Sequence, residues 1–479
     1  MINDNKATYH EIDFLLPAQR FNIQFSYVSE KGLPFIREFM LRMVHVAPMT
    51  RNEISTYFGL SKFETEEAIS DLMERGELTI NEFGKLALTE KAKDYFTDIG
   101  DSPKLSEVYD AATSITYELL GFNSIKQAGD KASWHNGISL DVESAVLSRS
   151  ESEAGKHFQI HFHELLDKGF LPKSIDQSSA NKPSVYTVNS VNRLKQLPFR
   201  LTSRFEIDMD GLAVERDDFE ALKDSGKAHE LITDKLMGLS KRSNLAEIAK
   251  AMAMLDDKET LGFFNNHSIC LKSLEHQRTA EEQESSKRCS LLGPIYSDEN
   301  WDLLEASLAP ILQERLSSKT DFAQEQLIWI APSDPYWGKS YKLQAALSRL
   351  LTAGSTKKKK LYEPRVYVPV SGVDDRSSIL QWDRELKDYT KHVSGLLEGF
   401  MDGNVEVILL EGELVVVLYH VSYPESLPVS LPIGFISTDK NVVKSVGEII
   451  KEYLSGQSAF DKPHDCGSLK ELSSNKSRK

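Results

Sequence analysis

From residue 33 onward, apolar positions recur at helical spacing and are interrupted at short, regular intervals. FIREFMLRMV carries the periodicity of a first helix. Thr50 predicts the cap of a second, with Glu53 three residues on as a capping-box partner. Residues 57–61 form a turn in which Gly59 can take a positive φ. Ser61, again followed three residues later by Glu64, opens a third helix whose stripe is Ala68, Ile69, Leu72 and Met73, and Gly76 stops it. Residues 77–80 and 85–88 predict a short hairpin about a turn at 81–84, and Thr89 caps a closing helix with Ala92, Tyr95 and Phe96. Upstream, FNIQFSYVS alternates as one or two strands do.

Beyond residue 98 the pattern changes. Val108, Ala111, Ala112, Ile115, Leu119 and Leu120 predict a helix over 105–121. Glycine- and asparagine-containing loops follow at 129–137, then a helix over about 150–168 with Gly169 as its C-cap. KSIDQSSANKPS predicts a loop, and VYTVNSV and RLTSRFEIDMDG predict strands with an Asp-Gly turn. Residues 216–290 read as helical and highly charged, and the nearly apolar-free 276–290 reads as an exposed helix end or linker. From 295 to 455 helices alternate with strands: helix 300–316, strand 327–332, helix 338–352, strand 365–370, helix 376–400, and strands 405–410 and 414–421. A strand IGFIS and a helix NVVKSVGEIIKEYL close the region. That alternation implies a partly parallel sheet.

The fold class expected is therefore multidomain, α/β and α+β. Residues 1–98 hold the strand and helix-hairpin segment, 99–290 a mixed helical and α+β middle, 291–455 a C-terminal α/β domain, and 456–479 a disordered tail.

The 479 residues carry 57 basic and 72 acidic side chains, a net charge of −15, which argues against a polybasic coat for nucleic acid but leaves a local basic face open. Cys270, Cys289 and Cys466 are odd in number and lie at no metal-ligand spacing, so a reducing, cytoplasmic compartment is expected, with no disulfide framework and no metal. The N-terminus lacks the pattern of a signal peptide, and no apolar run reaches the roughly 18 residues of a membrane span. The best run, 405–421, is broken by Glu406, Glu411 and Glu413 and reads as two adjacent strands.

Catalytic signals are fragmentary. WIAPSDPYWGKSYK ends like a phosphate-binding loop, with Gly338, Lys339 and Ser340 before a helix, but Ser333 stands where that pattern wants glycine. Lys339 is a candidate phosphate contact or, alternatively, part of an ordinary strand-to-helix loop. Lys357, Lys358, Lys359 and Lys360 form a second candidate phosphate patch or a solvated loop. His157 and His161 share a helix face at i, i+4, without a third ligand at compatible spacing, so satisfied or solvent-facing rings are the preferred reading. No catalytic residue and no cofactor is assigned.

Residues 33–96, through the glycine turn and SKFETEEAISDLMERGELTI before the hairpin, resemble the winged helix-turn-helix families of bacterial regulators. The resemblance implies that the third helix enters a DNA major groove, with Arg51, Lys62, Thr65 and Lys85 as contacts. Between residues 50 and 76, however, three basic residues face six acidic ones. Residues 412–454 are similar to the last strands and helix of phospholipase D-like domains, degenerate forms of which follow a winged helix in TrmB-type regulators. The histidine and lysine two residues apart that such hydrolases need are missing, since His420 precedes Val421 and Ser422. Three functions stay open: a DNA-binding or nucleic-acid-associated regulator, with DNA and a small-molecule effector as partners; a protein-contact subunit of a bacterial defence or DNA-processing complex; and, least favoured, an enzyme acting on phosphodiesters or nucleotides.

Overall fold

The computed structural model describes residues 6–31, 35–96, 98, 103, 105–126, 136–175, 182–240, 242–265, 268–283, 286–357, 359–456 and 464–474. The chain mixes helices with sheets that contain both antiparallel and parallel strands. It divides into two compact units. One comprises residues 18–128 and 142–197, and the other comprises residues 1–17, 129–141 and 198–479.

In the smaller unit, the second half of strand Lys6–Lys31 pairs antiparallel with strand Leu105–Glu118, from Ala18 opposite Glu118 to Lys31 opposite Leu105. Phe21, Ile23, Phe25 and Tyr27 alternate onto one face, as a period of two requires. They pack with Ile115 and Tyr117 against Ala154, Phe158, Phe162 and Leu165 of helices Ser144–Ile160 and Phe162–Asp167. This corrects the helix expected over 105–121. Tyr109, Ala111, Thr113, Ile115 and Tyr117 also recur at every second position, and pairing along the whole strand overrides the helical match.

Residues 35–96 intervene between those two strands. Helices Phe35–Val46, Arg51–Phe58 and Lys62–Glu74 are followed by the antiparallel hairpin of Leu78–Ile80 and Leu86–Leu88 and the short helix Glu90–Lys93. Both expected capping boxes form: Thr50 with Glu53, and Ser61 with Glu64. Gly59 takes φ 64°, a left-handed turn that suits glycine and separates the second and third helices. The segment has a core of its own, built on Met40, Leu41, Ile54, Ile69, Leu72, Leu78 and Leu86. Each such side chain contributes roughly 1.5–3 kcal/mol of apolar burial.

The larger unit is built on one eight-stranded sheet. Its strands follow the order Arg288–Leu292, Leu431–Ser437, Leu414–Val421, Val405–Leu410, Gln326–Ile330, Glu363–Val370, Val393–Leu397, Asp465–Ser468. Gln326–Ile330, Glu363–Val370 and Val393–Leu397 run parallel, and the other neighbours are antiparallel. The strands 405–410, 414–421 and 431–437 are buried at every residue, which explains their largely apolar sequences. A Cβ on Gly434 would stand 2.0 Å from the Val417 carbonyl oxygen, so only glycine admits this strand spacing.

Two further expectations are corrected in this unit. The helix predicted over 376–400 ends at Glu385, and Val393–Leu397 is a buried strand, since its apolar residues serve the sheet. Within the tail expected to be disordered, Asp465–Ser468 pairs with Val393–Leu397 and Leu469–Ser474 is helical. Leu469 is fully buried in the main core, so an apolar anchor within polar sequence orders this segment. The stretch 276–290, expected as an exposed helix end or a linker, is, in its described part, the end of helix Leu271–Gln283 followed by the edge strand Arg288–Leu292.

Candidate functional site

The helix-hairpin segment presents an unusual surface. Phe63, in the first turn of the third helix, is 76% exposed, and Phe83, in the hairpin turn, is 85% exposed. Tyr57, Val46 and Phe35 are also largely exposed. Isolated exposed apolar residues need no explanation; here several bulky ones are exposed within one small segment. Around them the charge is acidic: Glu53, Glu64, Glu66, Glu67, Asp71 and Glu74 are all exposed. The two capping boxes account for Glu53 and Glu64, whose carboxyls are held below their usual range by hydrogen bonds from Thr50 and Ser61 respectively.

Of the four residues expected to contact DNA, Arg51 is engaged by Glu66 at 3.6 Å, which ties its charge to the third helix. Thr65 is corrected: it is buried, with its hydroxyl donating to the Ser61 carbonyl, because at this helical phase the side chain faces the core. Lys62 is exposed and Lys85 half-buried, and neither enters an ion pair among the described residues. A partly buried pair fastens the first helix to the start of the hairpin. Arg37 Nε donates to Glu77 Oε2 at 2.9 Å, and the Tyr95 hydroxyl donates to the same carboxylate at 3.2 Å.

The lysines expected to meet phosphate are mostly committed elsewhere. Lys339 is corrected: it is buried, with Nζ 2.7 and 2.8 Å from the two Glu385 oxygens, so its charge is neutralised internally. Lys359 donates to the carbonyls of Arg315 and Ser318, both at 2.5 Å, at the end of helix Asp298–Ser317, where cations are favoured. Lys360 pairs with Glu363. Lys357 is exposed, and Lys358 lies outside the described residues.

Sequence reading missed a buried cluster of ionisable groups. His420, at the end of strand Leu414–Val421, places Nδ1 2.8 Å from Asp334 Oδ2 and Nε2 3.0 Å from Glu406 Oε2. Trp329 and Trp337 donate their indole N–H groups to Glu406 Oε1 at 2.8 and 2.9 Å, and Ser430 donates to Asp334. Burial opposes charge on His420, but the two carboxylates outweigh it and push its pKa up to about 9. Burial likewise opposes ionisation of Asp334, yet His420 and Ser430 hold it below the ordinary range. The cluster is thus an imidazolium between two carboxylates. Both ring nitrogens are occupied and all three side chains are at most 6% exposed. A general base needs a free nitrogen within reach of a substrate, and this imidazole offers none. The arrangement joins strands 405–410 and 414–421 to the loop after Gln326–Ile330. Glu406 and His420 lie on neighbouring paired strands, but Asp334 is 86 residues from His420, so no local motif could have signalled the cluster.

His157 and His161 lie with ring centroids 5.7 Å apart, and no group of three metal-ligating side chains occurs among the described residues. No helix among those residues is long and apolar enough to cross a membrane. The chain matches no family model and no curated protein.

Proposed function

We propose that this chain is a non-catalytic binding protein whose residues 35–96 act as a winged-helix module that docks onto another protein, as in a subunit of a larger complex. The observation that carries the reading is the pairing of strongly exposed aromatics, Phe63 and Phe83, with an acidic surround. An aromatic anchor gains most when a partner pocket desolvates it, and the carboxylates would repel a phosphate backbone. The engagement of Arg51 by Glu66 and the burial of Thr65 remove two of four potential groove contacts. The closed state of the His420 cluster supports the absence of catalysis there.

The test is co-purification from a native lysate of the source cells. The intact chain is expected to carry a stoichiometric protein partner, and Phe63→Ser with Phe83→Ser is expected to lose it without a change in melting temperature. Monomeric behaviour of the intact chain would oppose the reading. A second reading, a regulator bound to duplex DNA, is favoured by one observation: Lys62 on the third helix and Lys85 in the hairpin enter no ion pair among the described residues.

A further inference from the structure

The core face of the third helix fixes its outward face. Thr65, Ile69 and Leu72 are buried, so the opposite stripe faces solvent: Phe63, Glu67, Ser70 and Glu74, at i, i+4, i+7 and i+11, are all exposed. The stripe runs about 16 Å along the helix. It begins on a bare aromatic ring and continues through two carboxylates. The hairpin repeats this combination. Glu82 and Phe83, both exposed, sit in a turn held by Asn81, whose Oδ1 accepts from the Phe83 and Lys85 amides, each at 3.0 Å. The Phe83 ring is thus held outward on a backbone that the turn fixes.

Most neighbouring charges are compensated within the segment. Arg51 engages Glu66 at 3.6 Å, Arg75 engages Asp71 at 2.9 Å, and the Lys85 charge acts on Glu53. Glu67, Glu74 and Glu82 enter no ion pair among the described residues. Against them the third helix sets a single cation, Lys62.

These three carboxylates decide what can cover the aromatic rings. A second copy docked through the same face would bring like charges together, and a nucleic-acid backbone would add phosphates to them. A surface bearing lysine or arginine gives each carboxylate an opposite charge, and an arginine guanidinium also packs favourably on an aromatic ring. Resting on the docking function proposed above, we propose that the partner presents a basic protein surface. Its lysine or arginine side chains meet Glu67, Glu74 and Glu82, around an apolar pocket that takes Phe63.

The full chain, immobilised, would be panned against a phage library of random peptides at about 50 mM salt, where exposed charges act strongly. Selected peptides are expected to be rich in lysine and arginine around a large apolar residue. The whole chain carries a net charge of −15, so a basic peptide counts only if it depends on this face. A synthetic copy of the best peptide is expected to lose at least about tenfold in affinity with Phe63→Ser, and again with Glu67→Lys plus Glu74→Lys. All three positions are exposed, so melting temperatures should not move. Neutral or acidic peptides that are lost with Phe63→Ser would overturn the basic partner and leave docking standing. So would basic peptides lost with Phe63→Ser but indifferent to the two charge reversals. Selection of no peptide sensitive to Phe63→Ser would remove the docking function and this inference together. A dimer of the intact chain in sedimentation, or saturable binding of duplex DNA, that disappears with Phe63→Ser would assign the face to another occupant and also overturn the proposal.

Discussion

His420 Nδ1 lies 2.8 Å from Asp334 Oδ2, and this contact joins the end of one strand to the loop after another within the buried sheet. The same imidazole reaches Glu406 on its other side, so a single charged ring neutralises carboxylates from two neighbouring elements.

Stability is therefore expected to depend on pH in a particular way. The folded pKa of His420 is raised from 6.5 to about 9, so its contribution is complete below pH 6.5 and is lost as pH climbs through 9. His10 works in the opposite sense. Its folded pKa is lowered to about 4, so stability is complete above 6.5 and is lost as pH falls toward 4. Each effect amounts to something on the order of 3 kcal/mol. Urea unfolding midpoints measured across pH should form a dome centred near neutrality, and His420→Gln should flatten the alkaline arm while leaving the acid arm.

The Lys339–Glu385 pair is buried and bidentate. Lys339→Met leaves Glu385 unpaired and is expected to cost roughly 3–5 kcal/mol in urea unfolding, whereas Lys339→Met together with Glu385→Leu should recover most of that loss. A single substitution without measurable cost would show that the lysine charge is not committed to the interior.

The caps of the helix-hairpin segment make a smaller prediction. Ser61→Ala removes the hydroxyl that accepts from the Glu64 amide and should cost about 1 kcal/mol. Thr65→Arg should cost more than about 2 kcal/mol, because the position faces the core. If Thr65→Arg left the melting temperature unchanged, the assigned phase of the third helix would be wrong.

What could be read in advance followed from local chemistry. The capping boxes at Thr50 and Ser61, the glycine at 59 and the hairpin around Asn81–Gly84 are each specified within a few residues, and each appears where the pattern puts it. The adjacent strands over 405–421 were legible because glutamates and Gly412 interrupt one apolar run. Strand Leu105–Glu118 was misread because Val108, Ala112, Ile115 and Leu119 fit a helical stripe while Tyr109, Ala111, Thr113, Ile115 and Tyr117 alternate as a strand does, and only its partner Lys6–Lys31 decides. Leu469 was overlooked because one apolar residue in a polar tail has no periodicity. The His420 cluster was invisible for a similar reason. Asp334 lies 86 residues from His420, and topology alone brings them together.

The account rests most heavily on the acidic, aromatic surface of residues 35–96 being made for protein. The direct measurement is fluorescence anisotropy of a labelled duplex titrated with the full chain at about 50 and 200 mM salt. A module that engaged six or more phosphates would lose roughly a thousandfold in affinity between those conditions. The expectation is no saturable binding at either salt. Micromolar or tighter binding at low salt that falls steeply at high salt, and that is abolished by Lys62→Glu with Lys85→Glu, would contradict it.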